Sequence, residues 1–385
     1  MALLGIPIGL PGIEVLGFSV SGWAWATAVG VGLMAAIAVP LPSAAVRLCL
    51  PLLAYLAFDF FSLVWTPAFG QGMQVVIKYA GVAVVYLVAY RAADFDPDIL
   101  TKLRTWALII FPSVGFVFIR AAGDSASTLG WLKGGNGARP MVMLVALLYL
   151  VSTIGRSRRF AISMGLVALS VSAASGGRMG TAVVGVMVVL NPALRLTWRA
   201  RILIILGAVM LFAAALQLEP IQERFFHGQT VGTLEDIVAL EGNFNTAGRG
   251  NNWPVLLDSC NQQPTWGHGA GAASLITLEA TNGRTGHPHN EFIRIYCESG
   301  MVGVLLFWSF FIAAGLRGLA ALRRQTEIGG LAALAILALV LFSITDNATV
   351  YTGVFMLPLA ILIGIADRAS DSSRPAVRVP EQRGW

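Results

Sequence analysis

The chain has 385 residues, 56% hydrophobic and only 12% charged, with a mean hydropathy of +0.74. That composition lies outside the range of water-soluble domains and excludes a soluble enzyme or a disordered chain. The net charge of +6 belongs to membrane topology and not to a nucleic-acid surface. Lipid offers no partners to backbone polar groups, so spanning segments must be helices or closed barrels, and long continuous apolar runs select helices. The expected class is an all-α polytopic membrane protein.

Apolar runs of about 15–22 residues predict about twelve transmembrane helices, over 3–20, 23–41, 46–65, 73–90, 106–122, 140–155, 160–175, 180–194, 202–219, 300–316, 328–345 and 353–366. The first is the weakest. Pro7, Pro11 and Glu14 stand in a glycine-rich setting there, which also suits an interfacial segment or an uncleaved signal anchor. Within the spans Asp59 and Lys78 are costly if they face lipid, and a structural ion pair between them is the expected solution. Trp23, Trp25, Trp65, Trp106, Trp131 and Trp308 stand near span ends, as an interfacial belt requires.

Basic residues set the orientation. Arg91, Lys102 and Arg104 share one connection; "RSRR" (156–159), "RLTWRAR" (195–201) and "RGLAALRRQ" (317–325) mark three more; Arg368, Arg374, Arg378 and Arg383 lie in the tail. With twelve spans all five fall on one side, which the positive-inside rule makes the cytoplasm, with both termini inside. The opposite side has the connections 66–72, 123–139, 176–179, 220–299 and 346–352. The expected organisation is thus 1–219 with transmembrane helices 1–9, a large, partly helical periplasmic loop at 220–299, helices 10–12 over 300–366, and a cytoplasmic tail at 367–385.

The long loop holds all four histidines, His227, His268, His287 and His289, and a loop of that length in a nearly all-helical chain is more often functional than a spacer. The histidines lack a metal spacing, since His287 and His289 are two apart and no H-x-x-x-H occurs. Cys49, Cys260 and Cys297 have no recognisable spacing and are expected to be unpaired, a Cys260–Cys297 disulfide being the alternative. "KGGNGARP" (133–140) and "GHGAG" (267–271) lack the P-loop pattern and read as turns. There is no G-x-S-x-G nucleophile elbow.

The densest polarity lies in "GHPHNEFIRIYCESGMVGVL", residues 286–305, in front of a predicted span. After Pro288, Asn290 can cap a helix, Glu291 suits its first turn, and Glu291–Arg294 and Arg294–Glu298 can pair along one side. His289 then stands just before a helix N-terminus, where free N–H groups favour an anion. Gly300 and Gly303 permit a bend or a close helix approach.

His289-Asn290, nine residues, Gly300, two residues and Gly303 resemble the H-[NSQ]-x9-G-x-x-G signature of the bacterial O-antigen ligase family, within a superfamily that includes the O-antigen polymerases. "SGGRMG" with Arg178, and Arg249 followed by Trp253 and "WGHGAG", are similar to two further elements of that superfamily. The similarity covers most of 140–366. It implies a GT-C-like membrane glycosyltransferase that moves a glycan from an undecaprenyl diphosphate carrier to an acceptor hydroxyl at the periplasmic face of the inner membrane. The acceptor is a lipid A core sugar in a ligase and another carrier-linked repeat unit in a polymerase. The transfer is inverting and needs neither a cofactor nor a divalent metal; the partners are donor, acceptor and membrane lipids, with no nucleic acid. The chain has no D-x-D in an outer loop. A lipid-linked glycan transporter is the remaining alternative, but no matching halves are visible.

On this resemblance His289 takes the acid/base or acceptor-orienting role. Arg178 and Arg249 are the main cations for the departing diphosphate, which guanidinium forks bind in pairs. Asn290, Arg284, Arg139, Lys133 and Arg224 are further substrate-binding candidates; Glu279, Glu291 and Asp346 are alternative bases; His287 and His268 are supporting groups. In place of a mutual pair, Asp59 and Lys78 could line a groove for the carrier lipid.

Overall fold

The computed structural model describes residues 42–123, 138–174, 178–216, 249–323 and 326–371, with the short pieces 14–15, 18–19, 27, 29–32 and 34; within them, the side chains of 14–15, 18–19, 115–123, 138–140, 215 and 249–251 lie outside the description. Among the described residues the regular structure is helical, apart from one two-residue antiparallel pair, Glu14–Val15 with Phe18–Ser19. That pair is extended and not helical, and it falls inside the expected span over 3–20, whose other residues lie outside the description. The expected span over 23–41 falls almost wholly outside the described residues.

From residue 42 the helices follow the apolar runs. They are α1 (Ser43–Ser62), α2 (Phe69–Phe95), α3 (Ile99–Gly123), α4 (Ala138–Ser152), α5 (Arg158–Ala174), α6 (Arg178–Leu190) and α7 (Trp198–Ala215). Next come α8 (Arg249–Cys260), α9 (Ala272–Ala280), α10 (Glu291–Arg323), α11 (Glu327–Thr345) and α12 (Leu357–Ser370), the last entered through a π-helical turn at Thr352–Met356. Among the described residues, five helices are long and apolar enough to cross a membrane: α1, α2, α10, α11, and α12 with its entry turn.

The core is a helical bundle in which α2 packs on α12, α10 on α11 and α1, and α3 on α4. Aromatic rings fill its middle: Tyr55, Tyr79 and Phe307 meet edge to face at 5.2–5.5 Å between centroids. At one end Asp367 accepts from Arg317 Nη1 at 2.7 Å and from the Tyr86 hydroxyl at 2.7 Å, and Arg368 pairs with Asp94, so α2, α10 and α12 are fixed together. α7 packs lightly, and Leu203, Met210 and Leu211 are more than two-thirds exposed, as a lipid-facing helix requires.

One backbone feature shapes the opposite end. Gly300 has φ 60° and ψ −163° and divides α10 into 291–299 and a span-length remainder. Only glycine adopts that conformation without strain, and a Cβ there would meet the Thr265 carbonyl oxygen at 2.3 Å. The helix expected from Asn290 and the span expected from 300 are therefore joined across a bend.

Candidate functional site

The turn Thr281–Asn290 delivers the histidine motif to the head of α10. Asn290 caps that helix: its Oδ1 accepts from the Ile293 N–H at 3.1 Å while its Nδ2 donates to the Ile344 carbonyl at 3.1 Å. One residue earlier, His289 takes φ 51°, in the left-handed region. Its N–H donates to Asn347 Oδ1 at 2.8 Å, which fixes this conformation from α11's end. A non-glycine residue held there, with its strain absorbed by neighbours, is a feature that clusters at functional sites.

The imidazole is aimed by Asp346. His289 Nδ1 lies 3.2 Å from Asp346 Oδ1, and that oxygen also accepts the Asn347 N–H at 2.8 Å. A carboxylate accepts and does not donate when ionised, so the neutral ring carries its proton on Nδ1 and leaves Nε2 as the acceptor. Among the described residues no hydrogen bond engages Nε2. The ring is about a quarter exposed and its carboxylate nearly buried, 24% and 8%, so one nitrogen is held by the protein while the other remains open to a substrate.

Behind this pair is a buried polar column. Glu291, Arg294 and Glu298 all lie beneath the surface, and Arg294 Nη1 donates to Glu298 Oε2 at 2.5 Å and Nε to Glu291 Oε1 at 2.9 Å. Tyr79 and Thr349 complete the shell, with Thr349 Oγ1 donating to Glu291 Oε1 at 2.5 Å and Asn347 Nδ2 reaching Glu291 Oε2 at 3.4 Å. The two predicted ion pairs are present, but on the buried face and not on a solvated one. Glu291 is occupied on both oxygens and is a scaffold for Asn347, not a base open to substrate.

The expected Asp59–Lys78 pair does not form. Asp59 Oδ1 instead accepts from Ser299 Oγ at 2.6 Å, deep between α1 and α10. Lys78, half-buried on α2, has no carboxylate partner among the described residues. It stands near the histidines: His287 is lowered from the ordinary histidine value of 6.5, first by withdrawal from water and then by the fields of His289, Arg294 and Lys78, with Asp346 acting in the opposite sense. In the sequence Lys78 reads as half of an ion pair or as a wall of a carrier-lipid groove, not as a cation for the diphosphate. Its signal was its position, a lysine well inside an apolar run, which demands an anion.

α8 closes the site from the side. Trp253 Nε1 donates to the Pro288 carbonyl at 2.8 Å, one residue before His289. Arg249 opens the same helix one turn earlier, so its backbone is brought to this corner. Cys260 at the far end of α8 is bonded to Cys297 of α10, with Cα atoms 4.7 Å apart. This overturns the expectation of unpaired thiols, because the fold brings together two residues 37 apart in sequence that no local spacing connects. The turn "WGHGAG" docks beneath, its His268 and Gly269 N–H groups donating to the Cys297 and Glu298 carbonyls at 2.8 Å each.

The other candidates are distributed as follows. Arg178 opens α6 and is half-buried. Arg284 is exposed in the turn that carries His287. Arg139 lies at the head of α4, its side chain beyond the description, and Lys133 and Arg224 lie outside the described residues. Glu279 ends α9, and His268 Nε2 lies 3.0 Å from the Ser259 carbonyl, which marks it as a support for α8. Among the described residues no three His, Cys, Asp or Glu side chains converge as metal ligands.

Residues 163–308 match the sequence profile of the O-antigen ligase family. The matched segment runs from within α5 to within α10 and contains Arg178, Arg224, Arg249, Arg284, His289 and Asn290, whereas Lys78, Lys133, Arg139 and Asp346 lie outside it. It is narrower at both ends than the 140–366 over which the resemblance was drawn. No curated protein matches the sequence.

Proposed function

We propose that this protein is a membrane glycan ligase that moves a glycan from undecaprenyl diphosphate to a lipid A core hydroxyl at the periplasmic face of the bacterial inner membrane. The observation that supports it most is the His289–Asp346 pair, with Nδ1 held by a carboxylate and Nε2 open, inside a chain whose 163–308 segment matches O-antigen ligase. In this reading the chain crosses the membrane about twelve times, 220–299 is the periplasmic segment, and the basic connections face the cytoplasm.

The acceptor oxygen attacks the anomeric carbon of the donor sugar as the bond to the diphosphate oxygen breaks, a single displacement that inverts the anomeric centre. The acceptor proton passes to His289 Nε2, and Asp346 stabilises the imidazolium through Nδ1–H. Negative charge gathers on the lipid diphosphate, where Arg178 and Arg249 receive it as paired donors and Lys78 as a point charge. Arg284, Arg139, Arg224 and Lys133 are assigned to glycan and diphosphate binding around this centre, while Asn290, whose amide is engaged on both sides, positions His289.

Reconstitution with undecaprenyl-diphosphate-linked glycan, with and without lipid A core, tests the reading on a gel. Product only with lipid A core is expected of a ligase. A ladder from donor alone replaces it with a polymerase; donor movement across a vesicle without covalent product replaces it with a transporter.

A further inference from the structure

The two helices that carry the proposed chemistry are joined by one covalent bond. α8 begins at Arg249 and ends at Cys260; α10 begins two residues after His289 and contains Cys297. The Cα separation of 4.7 Å lies in the ordinary range for a disulfide. Both cysteines are fully buried in a small apolar core made with Leu256, Ala273 and Ile293, and Trp253, Leu257 and Tyr296 pack against it. Among the described side chains of α8, 252–260, none belongs to the main core of the bundle. Apart from that small core, the described side-chain hydrogen bonds that tie α8 and the residue after it to their surroundings are few: Trp253 to Pro288, Tyr296 to Asn261 just past the helix at 2.7 Å, and His268 with the Ser259 carbonyl.

We infer that the Cys260–Cys297 disulfide is a positioning bond, which fixes the helix that begins at Arg249 against the helix that follows His289, so that glycan transfer requires the oxidised chain. This rests on the reading above, in which Arg249 meets the diphosphate and His289 the acceptor. Proton transfer from the acceptor hydroxyl and charge stabilisation on the departing diphosphate act in the same transition state, and a displacement of about 1 Å between such groups costs roughly 100-fold in rate. The bond forms when the two thiols give up two protons and two electrons to a protein disulfide, which becomes a dithiol. Such oxidants work in the periplasm and not in the cytosol, so the chain becomes competent only after this segment has reached the oxidising side.

The test begins from folded, oxidised protein, which avoids variants that fail to fold. One sample is kept oxidised, one is reduced with a phosphine and its two new thiols counted by alkylation and mass, and a third is reduced and rejoined through one carbon with diiodomethane. Amide exchange of 251–260 and the kcat and KM for lipid-linked donor are read on each. Reduction should speed exchange in α8 while α11 and α12 keep their protection, and should lower kcat by about 10–100-fold with a smaller change in KM. The one-carbon bridge should hold both readouts near the oxidised values in reductant. Unchanged exchange in α8 with both thiols counted free would overturn the inference, and so would full kcat with α8 loosened. An oxidised chain that transfers no glycan overturns the reading of the site, and the inference with it.

Discussion

At the scale of single residues, His289 is defined by what surrounds it. Its N–H, its Nδ1 and its following cap residue are each held from the α11 end, by Asn347, Asp346 and Ile344. His289→Ala should therefore preserve folding while removing about 10²–10⁴ of the rate, the usual contribution of a positioned general base. Asp346→Asn should keep the hydrogen bond but allow the wrong tautomer, so kcat falls with KM for donor nearly unchanged; a KM rise alone would make Asp346 a binding group. Lys78→Gln should instead raise KM for the diphosphate donor, measured against the same reaction with Lys78→Arg, which keeps the charge. For His287 the sign follows from its lowered value: the fold prefers the neutral ring, so its stabilising contribution is complete above 6.5 and is lost as pH falls below that. Melts of His287→Gln should show a smaller acid loss than the parent chain. The motif containing His289 was legible from residue types and spacing. Its partner was not, because Asp346 is 57 positions away and only helix packing sets them side by side.

At the scale of elements, apolar runs located the helices well, since span length is dictated by the bilayer and not by subtle propensity. α1 and α11 lie within about three residues of their expected bounds. The failures lie where backbone conformation decides. Gly300 could be read as a bend or as a close approach, and the structure uses it for both, turning α10 at φ 60° against the Thr265 carbonyl. Gly300→Ala should cost roughly 1–3 kcal/mol through backbone strain alone, and more through the contact with residue 265. Thermal melts in detergent should fall accordingly; an unshifted midpoint would mean that the bend relaxes freely. The Asp59–Lys78 expectation failed for a related reason. Composition shows that two charges need partners but not which face of each helix they occupy, and Ser299 meets Asp59 first.

At the scale of the whole molecule, two ends divide the work. One joins α2, α10 and α12 through Arg317, Asp367, Tyr86, Arg368 and Asp94; the other carries the histidine turn, α8 and the docked glycine turn. The proposed orientation puts the first end in the cytoplasm and the second in the periplasm. In a Cys49→Ser background, with Cys260 and Cys297 held in their disulfide, the one free thiol of Arg284→Cys should then react with an impermeant reagent in intact cells, and that of Arg199→Cys only after permeabilisation; the reverse pattern would invert the topology. The basic connections are the sequence feature behind this proposed orientation, because basic side chains are retained on one side during insertion, whereas the residues that unite the histidine end come from α2, α8, α10 and the end of α11 and have no common signal along the chain.

The most direct measurement is single-turnover transfer from undecaprenyl-diphosphate-linked glycan to lipid A core by purified, reconstituted protein, comparing the parent chain with His289→Ala at matched folding. The account predicts product from the parent and a loss of at least about 100-fold in the variant. Equal rates in the two proteins would contradict it.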